Sequence, residues 1–185
     1  PAEITTIGYR LSQTLQDLLD DREQLVFVKK NIRGKGMKGA VGTAASYKEL
    51  VAESSVSSIE LENMVMEELG IKAYDAATQI YSRKQDLRII EALSSIACTL
   101  HKFSLDFRIL QSPPIGEFSE PFGKMQVGSS AMPFKRNPIN SEKIDSLSRI
   151  VENAYQSAWN NAATTVLERS LDDSANRRIF IPESF

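Results

Sequence analysis

A chain of 185 residues, 42% hydrophobic and 25% charged, is long enough for one domain with a sizeable core and has ordinary globular composition. Its net charge of −2 gives no overall pull toward nucleic acid or an anionic membrane, so any bound anion must be met by local basic groups. The single cysteine, Cys98, excludes an intrachain disulfide and fits a reducing, cytoplasmic compartment, and no apolar run approaches the ~20 residues needed to cross a bilayer.

The chain starts at Pro1 with no initiator methionine and stops at Phe185 just as a new amphipathic segment begins, which reads as an interior piece of a longer protein. Leu11, Leu15, Leu18, Leu19 and Leu25 predict an amphipathic helix over about Thr6 to Val28. Gly34-Lys35-Gly36-Met37-Lys38-Gly39 then matches the G-x-G-x-x-G pattern of dinucleotide-binding folds, with Leu25-Val26-Phe27-Val28 in the place of the preceding strand. That mechanism needs a parallel sheet to aim the phosphate at a helix end, and the next hundred or so residues are helical in pattern. The motif is therefore read as a glycine-rich turn. Two shorter helices come after it, near Ala44–Glu53 and Ser57–Leu69, the second stopped by Gly70.

Neither glycine nor proline occurs between Ile71 and Gln111 or between Ile139 and Ile181, while five of the seven prolines lie between Pro113 and Pro138. Two long helices separated by a loop are the result. The first runs from about Ala76 to Gln111, with Ile89, Leu93, Ile96, Leu100, Phe103, Phe107 and Leu110 on one face and Ile90 and Ala97 widening it. The second runs from Pro138 to about Ser170. Its residues Ile144, Leu147, Val151, Ala154, Ala158 and Asn161 form a coiled-coil-like seam. Asn137 is its expected N-cap and Pro138 its first residue. No sheet is expected. The fold class is an all-α bundle of long helices that assembles with other chains: one central helical domain over 1–185, containing a loop at 112–137.

That loop carries the densest chemistry, Gly128-Ser129-Ser130-Ala131-Met132-Pro133-Phe134-Lys135-Arg136-Asn137-Pro138 with Glu142 just beyond. A serine removes a proton from carbon only if its alkoxide is stabilised, which calls for a nearby cation and fixed N–H donors. Lys135 supplies the charge, and Gly128 lets the backbone turn its amides toward an anion. Downstream, Arg169, Arg177 and Arg178 gather three permanent cations beside Ser174, a set suited to a phosphate; Asp172 and Asp173 argue against a general polyanion surface. His101, the only histidine, lies between Leu100 and Phe103 on the long helix and reads as structural.

The serine-loop string is similar to the signature of the fumarase/aspartase superfamily, the lyases that expel fumarate by β-elimination. Leu167-Glu168-Arg169-Ser170-Leu171-Asp172-Asp173-Ser174-Ala175-Asn176-Arg177-Arg178, Gln79-Ile80-Tyr81-Ser82-Arg83-Lys84 and Lys38-Gly39-Ala40-Val41-Gly42-Thr43 resemble the adenylosuccinate lyase branch in particular. The resemblance implies cleavage of adenylosuccinate to AMP and fumarate, and of the succinyl-carboxamide ribotide of purine synthesis, by a homotetramer with no cofactor and no metal. It implies Ser129 as the general base, with Ser130 as its fallback, Lys135 and Asn137 as stabilisers of the developing aci-carboxylate, and Glu142 as the residue that orients the loop. Gln79 and Met132 would contact substrate; Arg169, Ser174 and Arg178 would bind the nucleotide phosphate. Lys143 stands where close relatives often carry a substrate-binding arginine. The family's acid, a histidine immediately before a segment like Pro1-Ala2, would fall upstream of this chain. Two alternatives stay open: another fumarate-releasing lyase such as argininosuccinate lyase, whose substrate has no phosphate for Arg169, Ser174 and Arg178 to hold, and a non-catalytic helical assembly protein on the same scaffold.

Overall fold

The computed structural model describes residues 3–185; Pro1 and Ala2, which the resemblance aligns with the segment after the family's histidine, lie outside the described residues. Helix α1 spans Ile7–Lys30, its first turn capped by Thr6, whose Oγ1 accepts from the Tyr9 amide at 3.1 Å. The stretch Leu25–Val28 is thus helical, and in the glycine-rich segment after it Gly34 joins a short strand while the rest is irregular, with left-handed φ at Gly36 and Gly39. A two-residue strand β1 (Arg33–Gly34) pairs in parallel with β2 (Lys72–Ala73), a small bridge where no sheet is expected from the sequence. Between them lie α2 (Ala45–Leu50) and α3 (Ser58–Glu68). Helix α3 starts with a reciprocal capping box: Glu60 N donates to Ser57 Oγ at 3.2 Å and Ser57 N donates to Glu60 Oε2 at 2.7 Å.

The long helices are α4 (Lys84–Gln111) and α5 (Ile139–Thr164), succeeded by a π-helical turn, Asn176–Phe180, that runs into the short α6 (Ile181–Glu183). Helix α4 begins at Lys84 rather than near Ala76. Tertiary contacts hold the preceding residues out of the helix: Thr78 Oγ1 donates to the Glu168 carbonyl at 2.6 Å, and the Ala77 carbonyl lies where a Cβ on Gly42 would sit, 2.4 Å away. Helix α5 ends at Thr164 rather than Ser170. The Thr164 and Thr165 hydroxyls bond back to the carbonyls of Asn160 and Asn161 at 2.9 and 2.5 Å, and Leu167 comes next with a left-handed φ of 44°.

Helices α4 and α5 pack antiparallel. The start of α4 meets the end of α5 in a core of Leu87, Ile90, Ala154 and Ala158, backed by Leu93, Tyr155, Ala162 and Ile181. At the other end Arg108 Nη1 pairs with Asp145 Oδ2 at 2.5 Å. The buried face of α5 consists of Ser141, Asp145, Ser148, Ala154 and Ala158, small or polar residues that let the two backbones come close. The seam is therefore rotated from the predicted one: Ala154 and Ala158 are inside, but Leu147 is 61% exposed. Leu11, Leu15 and Leu19 of α1 also face outward, because that helix docks on α4 through Asp21, which accepts from Ser95 Oγ at 2.5 Å and Thr99 Oγ1 at 2.7 Å. Large aliphatic side chains are left uncovered on both long-helix faces, as in a chain that buries them against neighbours.

Candidate active site

The loop from Ser112 to Pro138 leaves α4 and returns to start α5, and its base is stitched at several points. Gln111 Oε1 accepts from Glu120 N at 2.8 Å while its Nε2 donates to the Arg136 carbonyl at 3.4 Å, so one side chain spans both limbs. Phe118 packs on Phe107 with ring centroids 5.3 Å apart, and the Arg136 guanidinium lies 5.2 Å from the Phe122 ring centre. Glu120 then caps α5. Its Oε1 accepts from the Ser141 amide and hydroxyl, both at 2.8 Å, and its Oε2 from the Asn140 amide at 3.1 Å and Asn140 Nδ2 at 3.0 Å. This corrects the expected cap. Pro138, not Asn137, stands at the cap position with no side-chain bond, and an acid from 20 residues upstream does the work instead. Burial raises the Glu120 carboxyl, but its bonds from Ser141 and Asn140 outweigh that and hold it below the ordinary 4.5.

Within the loop the chain crosses itself at a narrow neck, where a Cβ on Gly128 would come 2.0 Å from the Lys135 carbonyl oxygen. Inside the neck, Lys135 N donates to the Met132 carbonyl at 2.9 Å. Ser129 Oγ accepts from two backbone amides, Met132 at 3.2 Å and Ala131 at 3.3 Å. Fixed N–H donors thus point at the oxygen that would carry the alkoxide charge. Ser130, Met132 and Lys135 are at the surface of the loop, and Lys135 has no ion-pair partner among the described residues. Asn137 is half-buried, its carbonyl accepting from Ile139 N at 2.9 Å; Glu142 and Lys143 project from the exposed side of the first turn of α5. The structure therefore brings Ser129, Ser130, Met132, Lys135, Asn137, Glu142 and Lys143 to one end of the α4–α5 pair.

The other predicted residues sit at the opposite end. Gln79 is exposed on the irregular segment before α4; Arg169 and Ser174 are in the segment after α5, and Arg178 is exposed on the π-helical turn. The Thr78–Glu168 bond and a buried ionic cluster join these segments. Arg83 pairs with Asp86 and Asp173, and Tyr81 OH donates to Asp86 Oδ1 at 2.8 Å. Burial raises the Asp86 carboxyl; burial and then the bond to Asp86 push the Tyr81 phenol up to about 12. Helix α4, 28 residues long, spans about 42 Å, and the two residue groups lie beyond its two ends. Cavities of about 730 and 850 Å³ lie elsewhere, around Arg33, Met66, Ile71 and Lys72, and hold none of these residues. His101 is half-buried mid-way along α4, remote from both groups. Among the described residues no group of three or more His, Cys, Asp or Glu side chains is placed to hold a metal ion, and no helix is long and apolar enough to cross a membrane.

The residues missed from sequence are those that hold the site. Glu120 has no local signature, since its partners are 20 residues on. Arg83 and Asp86 do have one, a basic–acidic pair at helical spacing, but Asp173 joins them only through the fold.

The sequence model of a family described as lyase matches residues 1–152. The adenylosuccinate lyase of Schistosoma mansoni is 44% identical over the whole of this chain, and that of Schizosaccharomyces pombe is 39% identical over the whole of it. The chain spans 38% of the length of each of these relatives. The crystal structure of 3-carboxy-cis,cis-muconate lactonizing enzyme from Pseudomonas putida shares the fold with a TM-score of 0.80 at 22% identity, over 97% of this chain and 38% of that one.

Proposed function

The chain belongs to the lyase family whose sequence model covers most of its length, and from that premise we propose that it is the central helical region of an adenylosuccinate lyase. In this reading Ser129 removes the proton on the carbon beside the one that bears the departing nitrogen, and the electron pair moves into the neighbouring carboxylate. Lys135 and Asn137 hold that aci-carboxylate, and Glu142 orients the loop. Collapse of the intermediate forms the fumarate double bond and breaks the C–N bond, and the nitrogen leaves as AMP once protonated by an acid from outside this chain. The same steps cleave the succinyl-carboxamide ribotide. Gln79, Arg169, Ser174 and Arg178 bind the nucleotide end, with Ser130, Met132 and Lys143 as further contacts. The protein works in the cytoplasm as a homotetramer, without cofactor or metal.

The observation that carries the reading is the separation of the two residue groups by the length of α4. One chain cannot fold a rigid helix to bring its own Ser129 to its own Arg178. Antiparallel assembly of such chains would bring the serine end of one to the arginine end of another, a reading supported by the uncovered Leu147 and Leu15, which leave apolar surface for such a contact.

The test is fumarate release from adenylosuccinate by the intact protein, by its Ser129→Ala and Arg178→Ala variants, and by an equal mixture of the two after subunit exchange. The wild type should be active, Ser129→Ala dead, and Arg178→Ala defective in substrate binding. Random mixing should restore up to about a quarter of wild-type activity, since some sites then receive both intact residues. A mixture no better than its parts would show that the two groups act within one chain. A folded wild type that releases no fumarate would remove the reaction itself.

A further inference from the structure

The buried ionic cluster has no assigned part in this chemistry, yet it joins the two segments that carry the nucleotide-binding residues. Arg83, Asp86, Asp173 and Asn176 are 3, 2, 1 and 1% exposed. Arg83 closes the irregular segment that carries Gln79. Asp86 lies in the first turn of α4, Asp173 directly precedes Ser174, and Asn176 opens the turn that carries Arg178. One guanidinium therefore ties together segments about 90 residues apart in sequence, forming an ion pair with Asp173 through Nη2 and reaching Asp86 through Nη1 at 3.5 Å, with the Tyr81 ring centre 4.8 Å away.

As a source of stability the cluster is poor. Burying one cation with two carboxylates costs more desolvation than an apolar patch of equal volume would. Arg83 Nε and Nη2, both carboxylate oxygens of Asp173 and both polar side-chain atoms of Asn176 also lack a well-aligned hydrogen-bond partner among the described residues, so Arg83 and Asp173 hold each other by charge alone. What the buried guanidinium does provide is a tether: its charge, shared between Asp86 and Asp173, holds the Gln79 segment against the Asp173-Ser174 backbone, where an apolar contact would leave the two free to slide.

We propose that Arg83, acting through Asp173, is the positioning residue of the nucleotide-binding half of the site, holding Ser174 and the flanking Arg169 and Arg178 in register with Gln79. The proposal rests on the lyase reading above and adds to it a residue pair that touches no substrate. Arg83 and Asp173 act on where the phosphate is held, and not on the proton transfer at the far end of another chain's helix. Their loss should appear in binding and leave the chemical step.

The test uses the intact protein with Arg83→Met, Asp173→Asn and Arg83→Lys. The first two should raise the KM for adenylosuccinate by about 10-fold or more, and weaken AMP binding by the same factor in calorimetry, with kcat within about 3-fold and the assembly unchanged by light scattering. Arg83→Lys should recover part of the affinity, since an ammonium keeps the charge but cannot face two carboxylates as a fork does. Unchanged KM and AMP affinity in both Arg83→Met and Asp173→Asn would overturn the proposal. So would parallel loss of kcat, affinity and assembly in all three variants, which would make the cluster structural only. Failure of the lyase reading looks different: a folded wild type that neither releases fumarate nor binds AMP.

Discussion

Glu120 offers the sharpest test of how the serine loop is built, because all four groups that face it are donors. Replacing it by alanine leaves those donors without their acceptor, but not at equal cost. Asn140 is exposed, so its amide and side chain rehydrate for little. Ser141 is 6% exposed, and its amide and hydroxyl lose their partner in a place water reaches poorly. At about 1 kcal/mol for each buried donor left unpaired, Glu120→Ala should loosen the first turn of α5 by about 2 kcal/mol, or about 30-fold in its opening equilibrium. Glu120→Gln keeps one acceptor oxygen and turns an NH2 toward a donor, so about half that effect is expected. Hydrogen exchange on the peptide that begins at Ile139 reads this opening directly, without requiring two-state unfolding of a large assembly. The pH dependence gives a second arm. Burial raises this carboxyl but its four bonds win, so the folded value lies below 4.5. The contribution is then complete above 4.5 and drains away as the pH falls through the lower folded value. Wild-type protection of Ser141, corrected for intrinsic exchange, should fall over that acidic window, and the Glu120→Gln protein should show no such step. Equal protection in wild type and Glu120→Ala at neutral pH would refute the idea that this side chain caps α5.

Two further outcomes come from the same geometry. In Gly128→Ala the new Cβ would meet the Lys135 carbonyl oxygen at 2.0 Å, a backbone atom that cannot swing aside, so the neck must open and carry Ser129 with it. Turnover should fall by about 100-fold while thermal stability barely changes, because the neck is on the surface; full activity in a folded variant would show that the neck is not needed. At alkaline pH, the Tyr81 phenol is pushed up to about 12, chiefly by burial, so its protonated form favours the folded protein. That contribution is complete below pH 10.0 and lost as the pH rises through about 12, and Tyr81→Phe should flatten the wild-type decline in stability over that interval. An identical alkaline decline in the two proteins would remove Tyr81 as its cause.

Most of the helical architecture is legible residue by residue, because its signals are local. The leucines of α1, the Ser57 start of α3 and the Gly70 stop each act within a turn or two of chain. The seam between α4 and α5 is not legible in the same way. A stripe of large aliphatics such as Ile144, Leu147 and Val151 says that a helix buries that face somewhere, but not against which neighbour. Within this chain the close contact is made by Ala154, Ala158 and Ser148, whose small side chains carry little hydrophobic signal and permit the shortest approach. Leu147 is left for another surface. The early start expected for α4 fails for a related reason: an unbroken helical pattern from Ala76 onward competes with the Thr78–Glu168 bond and the close approach of Ala77 to Gly42, and the tertiary contacts win.

The serine loop is readable as a string because its residues are consecutive, and the resemblance extends to Gln79 and Arg178 as separate strings. Their arrangement in space is less obvious, yet the sequence contains it. Between Gln79 and the loop lies one breaker-free helix, and between the loop and Arg169 lies another. A helix of 28 residues is a ruler about 42 Å long, and two such rulers laid antiparallel return the chain to the end from which it started. Gln79 and the Arg169–Arg178 segment must therefore meet at one end, as the Thr78–Glu168 bond and the Arg83–Asp173 pair show that they do. Ser129 must lie at the other. Any chemistry that needs both ends at once cannot be completed by these two helices of one copy, and the exposed aliphatic residues of α1 and α5 mark the surfaces on which a partner would have to pack.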